Sequence, residues 1–379
     1  MWKAVRITYY EDNKDRLLTE AIKPAVEKLQ TRGLGRWFLR RHWKRGPHIS
    51  LVLEDTNERL ETDWLPLIRE TVLPWLNDHP SRKEIDPDQY LKLSETLGAW
   101  ELEPGPYLPL SPDNSLNVEP HDRREDVVSG ARVAELLEAF RSDVAPVTLE
   151  LIAESAGNRG KRLEQMIGLM AVIAELYPLG GITRGHLSYR SHVEGYLHTF
   201  DTDGRLRETF RQRDRELGGR IDELVRAVLA HTGEEGGVYH GPDRWLRAWA
   251  EASLRLYTEA KTLADAGELT SRTDHYREIA ATIGEEAVKR WDPSGNERGL
   301  SPFHQNLQSR EEGMRVLQSP EFAAYRIVVN AFYAHLPLFD INPHTKHLLC
   351  ELVSNATERI KGVTWQQLTG FGQGGTADA

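Results

Sequence analysis

Apolar positions along the first hundred residues change spacing from element to element. WKAVRITYY, rich in β-branched and aromatic residues, predicts a strand, and from Asp12 to Gln30 the residues Leu17, Leu18, Ile22, Val26 and Leu29 fall at helical spacing. RGLGRWFLRRHW and HISLVLE predict two more strands, separated by the turn signal KRGP. A second helix follows through Trp64, Leu67, Ile68, Val72 and Trp75 and is stopped by NDHP. The order β-α-β-β-α predicts a split-βαβ, ferredoxin-like antiparallel sheet over residues 1–103, with its last strand within 88–103. Residues 104–124 concentrate Pro, Asn and Asp and predict a connecting loop.

Beyond that loop the period is almost wholly helical. Helices are expected at 130–142, 144–155, 160–177, 191–198, 205–231, 243–266, 272–290, 302–317, 319–337 and 343–361. Ser301-Pro302, Ser319-Pro320 and Asn342-Pro343 each pair a capping residue with proline at the first helical position, where the missing N–H has no intrahelical partner to lose. The expected fold class is α+β: the small sheet, then a helical domain over 125–362 that carries the pocket. A flexible tail is expected at 363–379, because GFGQGGTADA holds no core-forming material.

Composition narrows the class. No apolar run approaches the roughly 20 residues that cross a bilayer, so a soluble protein without membrane attachment is expected. MWKAVRITYYEDNKDRLL is not a secretory signal, and the single cysteine, Cys350, fits a reducing cytoplasm. A formal charge of −10 argues against general nucleic-acid binding. The basic run RWFLRRHWKR (36–45) is expected to be a solvated strand face, with docking of an acidic partner as the alternative.

Three stretches carry candidate chemistry. GHLSYRSHVEGYLHTF (185–200) gathers histidines, serines and tyrosines with little core material. Ser191 and Glu194 have capping-box spacing, which would put Tyr189 and Arg190 just before a helix amino terminus, where free N–H groups favour a carbonyl or anion, and His192 on the same rim. His186, His192 and His198 match no zinc spacing. In 244–265, Ser253, Tyr257 and Lys261 follow one another along the edge of an apolar stripe and would suit a pocket wall. In SPEFAAYRIVVNAFYAH (319–335), Tyr325, Val329 and Tyr333 share a face flanked by Arg326 and Asn330, and Ser319 is an N-cap by position. Each also has a commoner structural role: a hydrogen-bonded histidine, a packed tyrosine ring, a cap. There is no nucleophile elbow, P-loop or dinucleotide fingerprint. The residues alone reach a soluble α+β protein with a polar helical pocket.

WFLRRHWKRGPHISLVLE resembles the segment that opens the glutamate-elimination domain of lantibiotic dehydratases, also found as free-standing proteins in thiopeptide pathways. LSYRSHVEGYL, SPFHQNL and SPEFAAYRIVVNAFYAHLPLFDINPHTKHLLCEL resemble the helical part of that domain in order and spacing, so the likeness spans nearly the whole chain. The eliminating enzymes hold a glutamyl ester with two arginines of an HLRLR strand, and this chain has Ser50 and Val52 there. Where they end a late helix with H-M-x-x-N-R, HLLCEL places Cys350 and Glu351.

With those arginines lost, the chain is similar to the thiopeptide pyridine synthases. That resemblance implies a formal aza-[4+2] cycloaddition between two dehydroalanines of a leader-bearing, thiazole-rich precursor peptide. Water and then the leader are lost, leaving a pyridine and a macrocycle, with no cofactor or metal. On this reading Tyr189, Ser191, His192, Tyr257, Ser319 and Tyr325 are candidates for proton transfer and iminol stabilisation, and Arg190, Ser253, His304, Asn330 and Tyr333 for holding the peptide. The expected partner is the modified precursor peptide, with a homodimer or transient contact with other biosynthetic enzymes compatible with it. The alternatives are a glutamate-eliminating subunit of a split lantibiotic-type dehydratase and a non-catalytic scaffold that binds the precursor. The pyridine-synthase expectation rests on an uncharged chamber where the eliminating relatives use paired guanidiniums.

Overall fold

The computed structural model describes residues 1–56, 58–233, 236–269, 274–291 and 299–370. The chain divides into two compact units: Met1–Gly157 with Thr273–Asp292 and Ala334–Ile341, and Asn158–Arg272 with Pro293–Tyr333 and Asn342–Ala379.

The first unit opens with β1 (Trp2–Thr8), a π-helical turn at Leu17–Ile22 running into α1 (Lys23–Thr31), then β2 (Trp37–His42) and β3 (His48–Glu54). A second such turn at Leu60–Trp64 leads into α2 (Leu65–Asp78). Here the structure departs from the expected order. Residues expected to hold the last strand form α3 (Pro87–Glu101), started by Asp86, whose carboxylate accepts from the Gln89 N–H, with Pro87 at the first position. The fourth strand, β4 (Ser115–Pro120), lies inside the predicted loop. It is an edge strand with Leu116 as its one buried side chain, so it lacks the apolar alternation that marks a half-buried strand.

The sheet order β2-β3-β1-β4, antiparallel throughout, is that of a split βαβ sandwich. Alternation buries Val5, Ile7, Leu39, Ile49 and Leu51 on one face. The other face carries Arg6, Arg40 and Ser50, which lie side by side because Ser50 pairs with Arg6 on one flank and Arg40 on the other. After α4 (Glu125–Val128) comes α5 (Ala131–Ser155), which runs unbroken through Pro146 where two helices were expected.

The second unit begins with α6 (Arg159–Glu175), capped by Asn158, then α7 (Gly181–Gly185), α8 (Leu187–Phe200), α9 (Arg205–Leu229) and α10 (Arg244–Asp265). The Asp243 carboxylate caps α10 by accepting from the Trp245 and Leu246 N–H groups. α11 (Asp274–Ile283) and α12 (Glu285–Trp291) belong to the first unit, where Ala280 and Ala287 pack on Ala99 and Leu102. The expected start of that region, at 272, lies outside the described residues.

α13 (Pro302–Ser309), α14 (Glu311–Leu317), α15 (Pro320–His335), a 3-10 turn at Leu336–Phe339, α16 (Pro343–Lys361) and α17 (Trp365–Thr369) complete the chain. The three cap-proline starts form as expected: Ser301, Ser319 and Asn342 accept from the N–H groups of His304, Phe322 and Thr345. Part of the predicted tail is the capping box and helix at 364–369, and residues 371–379 lie outside the description. Among the described residues no helix is long and apolar enough to cross a membrane.

Candidate active site

The polar stretch at 185–200 is a helix almost from end to end. α7 turns directly into α8 through His186, itself in helical conformation, so α8 starts at Leu187 and not at Ser191. The expected capping box therefore does not form. Tyr189 and Arg190 are inside the helix, and Glu194 instead accepts from Arg207 at 2.9 Å. Helical geometry then sorts the residues by face. Tyr189 and Arg190 point inward, while Leu187, Ser188, Ser191 and His192 line a cavity of about 200 Å³ in the second unit.

The rest of that cavity comes from Tyr177 after α6, Arg184 of α7, Phe303, His304, Leu307 and Gln308 of α13, Val316 and Leu317 of α14, and Phe322, Tyr325, Arg326 and Val329 of α15. Its walls are mostly apolar, and its polar groups are hydroxyls, imidazoles and one amide apart from the two arginines. As whole residues, Arg184 is exposed and Arg326 half-buried. The chamber therefore has two cationic residues in its lining, and the charge of Arg326 helps to lower the His192 pKa.

Four predicted residues meet here. The Ser191 hydroxyl lies 2.9 Å from His304 Nε2, and His304 Nδ1 lies 2.7 Å from the Ser301 hydroxyl. Burial holds His304 below its ordinary pKa and His192 far below, so both rings are neutral at pH 7. The His192 ring meets Tyr333 edge-on at 4.8 Å. The Tyr325 hydroxyl donates to the Gly185 carbonyl at 3.0 Å, and its ring packs at 4.9 Å from that of Tyr177. Burial raises the Tyr325 phenol well above its ordinary range.

The other predicted residues are placed elsewhere. Tyr189 donates to the Met170 carbonyl at 2.8 Å and fastens α8 to α6. Arg190, 4% exposed, binds Glu351 at 2.8 Å, Asn355 at 2.6 Å and Glu358 at 2.9 Å, joining α8 to α16. Its terminal nitrogens are committed to this network and do not face the cavity. Tyr333 lies 3.3 Å from Cys350 Sγ, and burial pushes that thiol up to about 11. Ser319 does not line the cavity, but it caps the helix that carries Tyr325. Tyr257, pushed up to about 12 by burial and then by Glu321, is half-buried on α10; Ser253 is fully buried there with no hydrogen-bond partner, and Asn330 is exposed. Sequence reasoning missed Tyr177, Arg184, Ser188 and Gln308, which converge from the end of α6 and from α7, α8 and α13 without sharing a motif.

In the first unit, a second cavity of about 250 Å³ opens on the polar face of the sheet, lined by Arg6, Arg40, Lys44, Glu103, Glu119 and their neighbours. The basic run at 36–45 is paired there and not simply solvated. Lys44 binds Glu103 at 2.8 Å, Arg40 donates to the Asp122 carbonyl at 3.1 Å, and Arg41 binds Asp340 at 2.9 Å. Arg6 donates to the carbonyls of Lys44, Arg45 and Gly46 at 2.8–3.1 Å.

Comparison with known proteins agrees with this architecture. The pyridine synthase TbtD from thiomuracin biosynthesis superposes with a TM-score of 0.73 and 26% sequence identity, over 95% of this chain and 99% of that one. TsrL has the same fold, with a TM-score of 0.67 and 17% identity over 100% of this chain and 99% of that one. No curated protein sequence matches significantly. The model of the lantibiotic biosynthesis dehydratase C-terminal family matches residues 2–357, and the chain belongs to that family.

Proposed function

We propose that this protein joins two dehydroalanines of a leader-bearing, thiazole-containing peptide by formal aza-[4+2] cycloaddition, followed by loss of water and of the leader, to close a pyridine-centred macrocycle. The observation that carries the reading is the cavity of about 200 Å³, whose mostly apolar walls hold neutral hydroxyl and imidazole groups beside two arginines. End-to-end likeness to a pyridine synthase supports it.

Such a reaction is chiefly a problem of bringing two alkenes of one flexible chain together, and positioning alone contributes roughly 7–11 kcal/mol in favourable cases. Phe303, Leu307, Phe322 and Val329 offer apolar surface for flat, uncharged groups. One amide must shift toward its iminol, which asks for a donor at oxygen and an acceptor at nitrogen. Ser191 can donate, and Tyr325, with its own proton given to Gly185, has lone pairs left to accept. We place Ser191, His192, His304 and Tyr325 in the reacting chamber and Ser319 behind Tyr325 as the cap of its helix. Incubation with a dehydrated, azole-containing peptide, read by mass spectrometry, tests this: a macrocycle and a freed leader carboxamide are expected, and unchanged peptide mass under saturating binding refutes it.

One observation favours a second reading. Arg6 and Arg40 flank Ser50 on neighbouring strands, close to where the eliminating relatives carry arginine. Arg6 is held by the carbonyls of residues 44–46 and by Glu119, and Arg40 donates to the Asp122 carbonyl, which is why elimination ranks second. Release of glutamate from a glutamylated peptide would reverse that ranking.

A further inference from the structure

We infer that Ser301 holds His304 as its Nε2–H tautomer and so frees the Ser191 hydroxyl to donate a hydrogen bond into the apolar cavity. The use made of that donor rests on the proposed cycloaddition. The hydrogen-bond assignment itself does not.

A serine hydroxyl has one proton and two lone pairs. Ser301 caps α13, so one lone pair takes the His304 backbone N–H at 3.4 Å. The residue is 2% exposed, so its proton has no route to water and needs an acceptor inside the protein. His304 Nδ1 stands 2.7 Å away. Donation there occupies the Nδ1 lone pair and leaves the ring proton on Nε2, which faces Ser191 Oγ at 2.9 Å. Ser191 then accepts from the imidazole and keeps its own proton for a ligand.

The reverse arrangement, with Nδ1–H donating to Ser301, strands the buried Ser301 proton and is disfavoured on the order of tenfold or more. An imidazolium fails for the same reason, since it presents a proton at both nitrogens, and burial already holds this ring neutral.

In the cavity, the trio suits an amide carbonyl that gains negative charge as it becomes an iminol. Ser191 meets the oxygen directly, and the Nε2–H behind it strengthens that hydrogen bond as charge builds. The chain ends at Ser301, a hydroxyl that retains its proton, so no net proton leaves the protein. Ser191 therefore polarises the carbonyl, while His304 and Ser301 are positioning residues.

The test uses the full chain with ¹⁵N-labelled histidine. A long-range ¹H–¹⁵N correlation spectrum distinguishes the two neutral tautomers, and His304→Gln identifies the His304 signals. Ser301→Gly removes the hydroxyl while keeping a tolerated N-cap, and Ser301→Thr keeps both. The wild type and Ser301→Thr are expected to show Nε2–H, and Ser301→Gly to shift toward Nδ1–H. Pyridine formation should fall about tenfold in kcat for Ser301→Gly, with KM little changed, and recover in Ser301→Thr.

A wild-type ring carrying its proton on Nδ1, or protonated at both nitrogens at pH 7, overturns the assignment. A tautomer shift in Ser301→Gly without loss of kcat overturns the donor role. If wild type makes no pyridine yet shows the Nε2–H ring, the proposed reaction fails and the hydrogen-bond assignment stands.

Discussion

Tyr325→Phe removes one oxygen atom and separates folding from chemistry. The ring is 1% exposed and packs against Tyr177 with centroids 4.9 Å apart, and phenylalanine preserves both that volume and that contact. What disappears is the bond to the Gly185 carbonyl at 3.0 Å, a neutral hydrogen bond worth about 1 kcal/mol of folding stability. The catalytic cost is larger, because the hydroxyl is fixed in a dry site as the acceptor at the amide nitrogen, and a positioned acid–base group of this kind contributes about 10²–10⁴ in rate. The expected variant therefore unfolds in urea within about 1.5 kcal/mol of wild type. It binds the dehydrated peptide normally by fluorescence anisotropy, and it forms macrocycle at least about a hundredfold more slowly in a quenched single-turnover assay read by mass spectrometry. Burial raises the phenol well above its ordinary value, so the hydroxyl stays protonated around neutral pH and the loss should not vary with pH there. A variant within threefold of the wild-type rate would show that the Tyr325 hydroxyl is only a clasp on α7.

Arg190→Ala leaves Glu351 and Glu358 without their shared cation and should cost about 3–5 kcal/mol in urea denaturation. Burial pushes the Glu358 pKa up, but His186 and Arg190 outweigh it and hold the carboxyl below its usual value. Its stabilisation is therefore full above the ordinary glutamate range, about 4.3, and is lost as pH falls through the lowered native value, so the gap between wild type and variant should narrow in acid. Gly185→Ala would set a methyl 2.0 Å from the Ala174 carbonyl oxygen, and a stability loss above about 2 kcal/mol is expected by thermal denaturation. Burial pushes His48 and His347 down to about 3, so between about 6.5 and that value the unfolded chain binds more protons than the native one. Stability should fall on acidification through that window, and an equal or higher urea midpoint at pH 5 than at pH 7 would contradict it.

Where sequence reasoning succeeded, a local cause was strong enough to decide the structure. Asn342-Pro343 starts α16 because cap and fixed φ agree, and the helical period of 205–231 survives as α9 because one face of it is buried. Where it failed, the deciding contact was remote. Nothing local marks SLNVEP as a strand, since its backbone pairing with β1 comes from more than a hundred residues away and its side chains stay largely exposed. Ser191 and Glu194 have the spacing of a capping box, but α7 feeds α8 directly and Glu194 finds Arg207 instead. The cavity was half visible. Its α8 and α15 walls could be read as polar faces, whereas the approach of His304 to Ser191, 113 positions apart, exists only in the folded chain.

At position 50, where the resemblance to the eliminating enzymes implies arginine, cations stand close by on the neighbouring strands. Arg6 and Arg40 sit beside Ser50, yet their donors go to carbonyls of the 44–46 turn and of Asp122. Arg190, in the middle of the polar stretch, is neutralised by Glu351 and Glu358, and Glu351 stands in the HLLCEL segment where the resemblance to the eliminating enzymes breaks. A guanidinium already paired with two carboxylates cannot bind a third without stranding buried charge. Within the second unit, then, Glu351 helps to quench a central cation, and the polar groups lining the chamber are neutral hydroxyls and imidazoles beside the cationic Arg184 and Arg326. The apolar walls suit reacting alkenes and a tautomerising amide, whereas expelling a glutamate anion in this chamber would fall to Arg184 and Arg326.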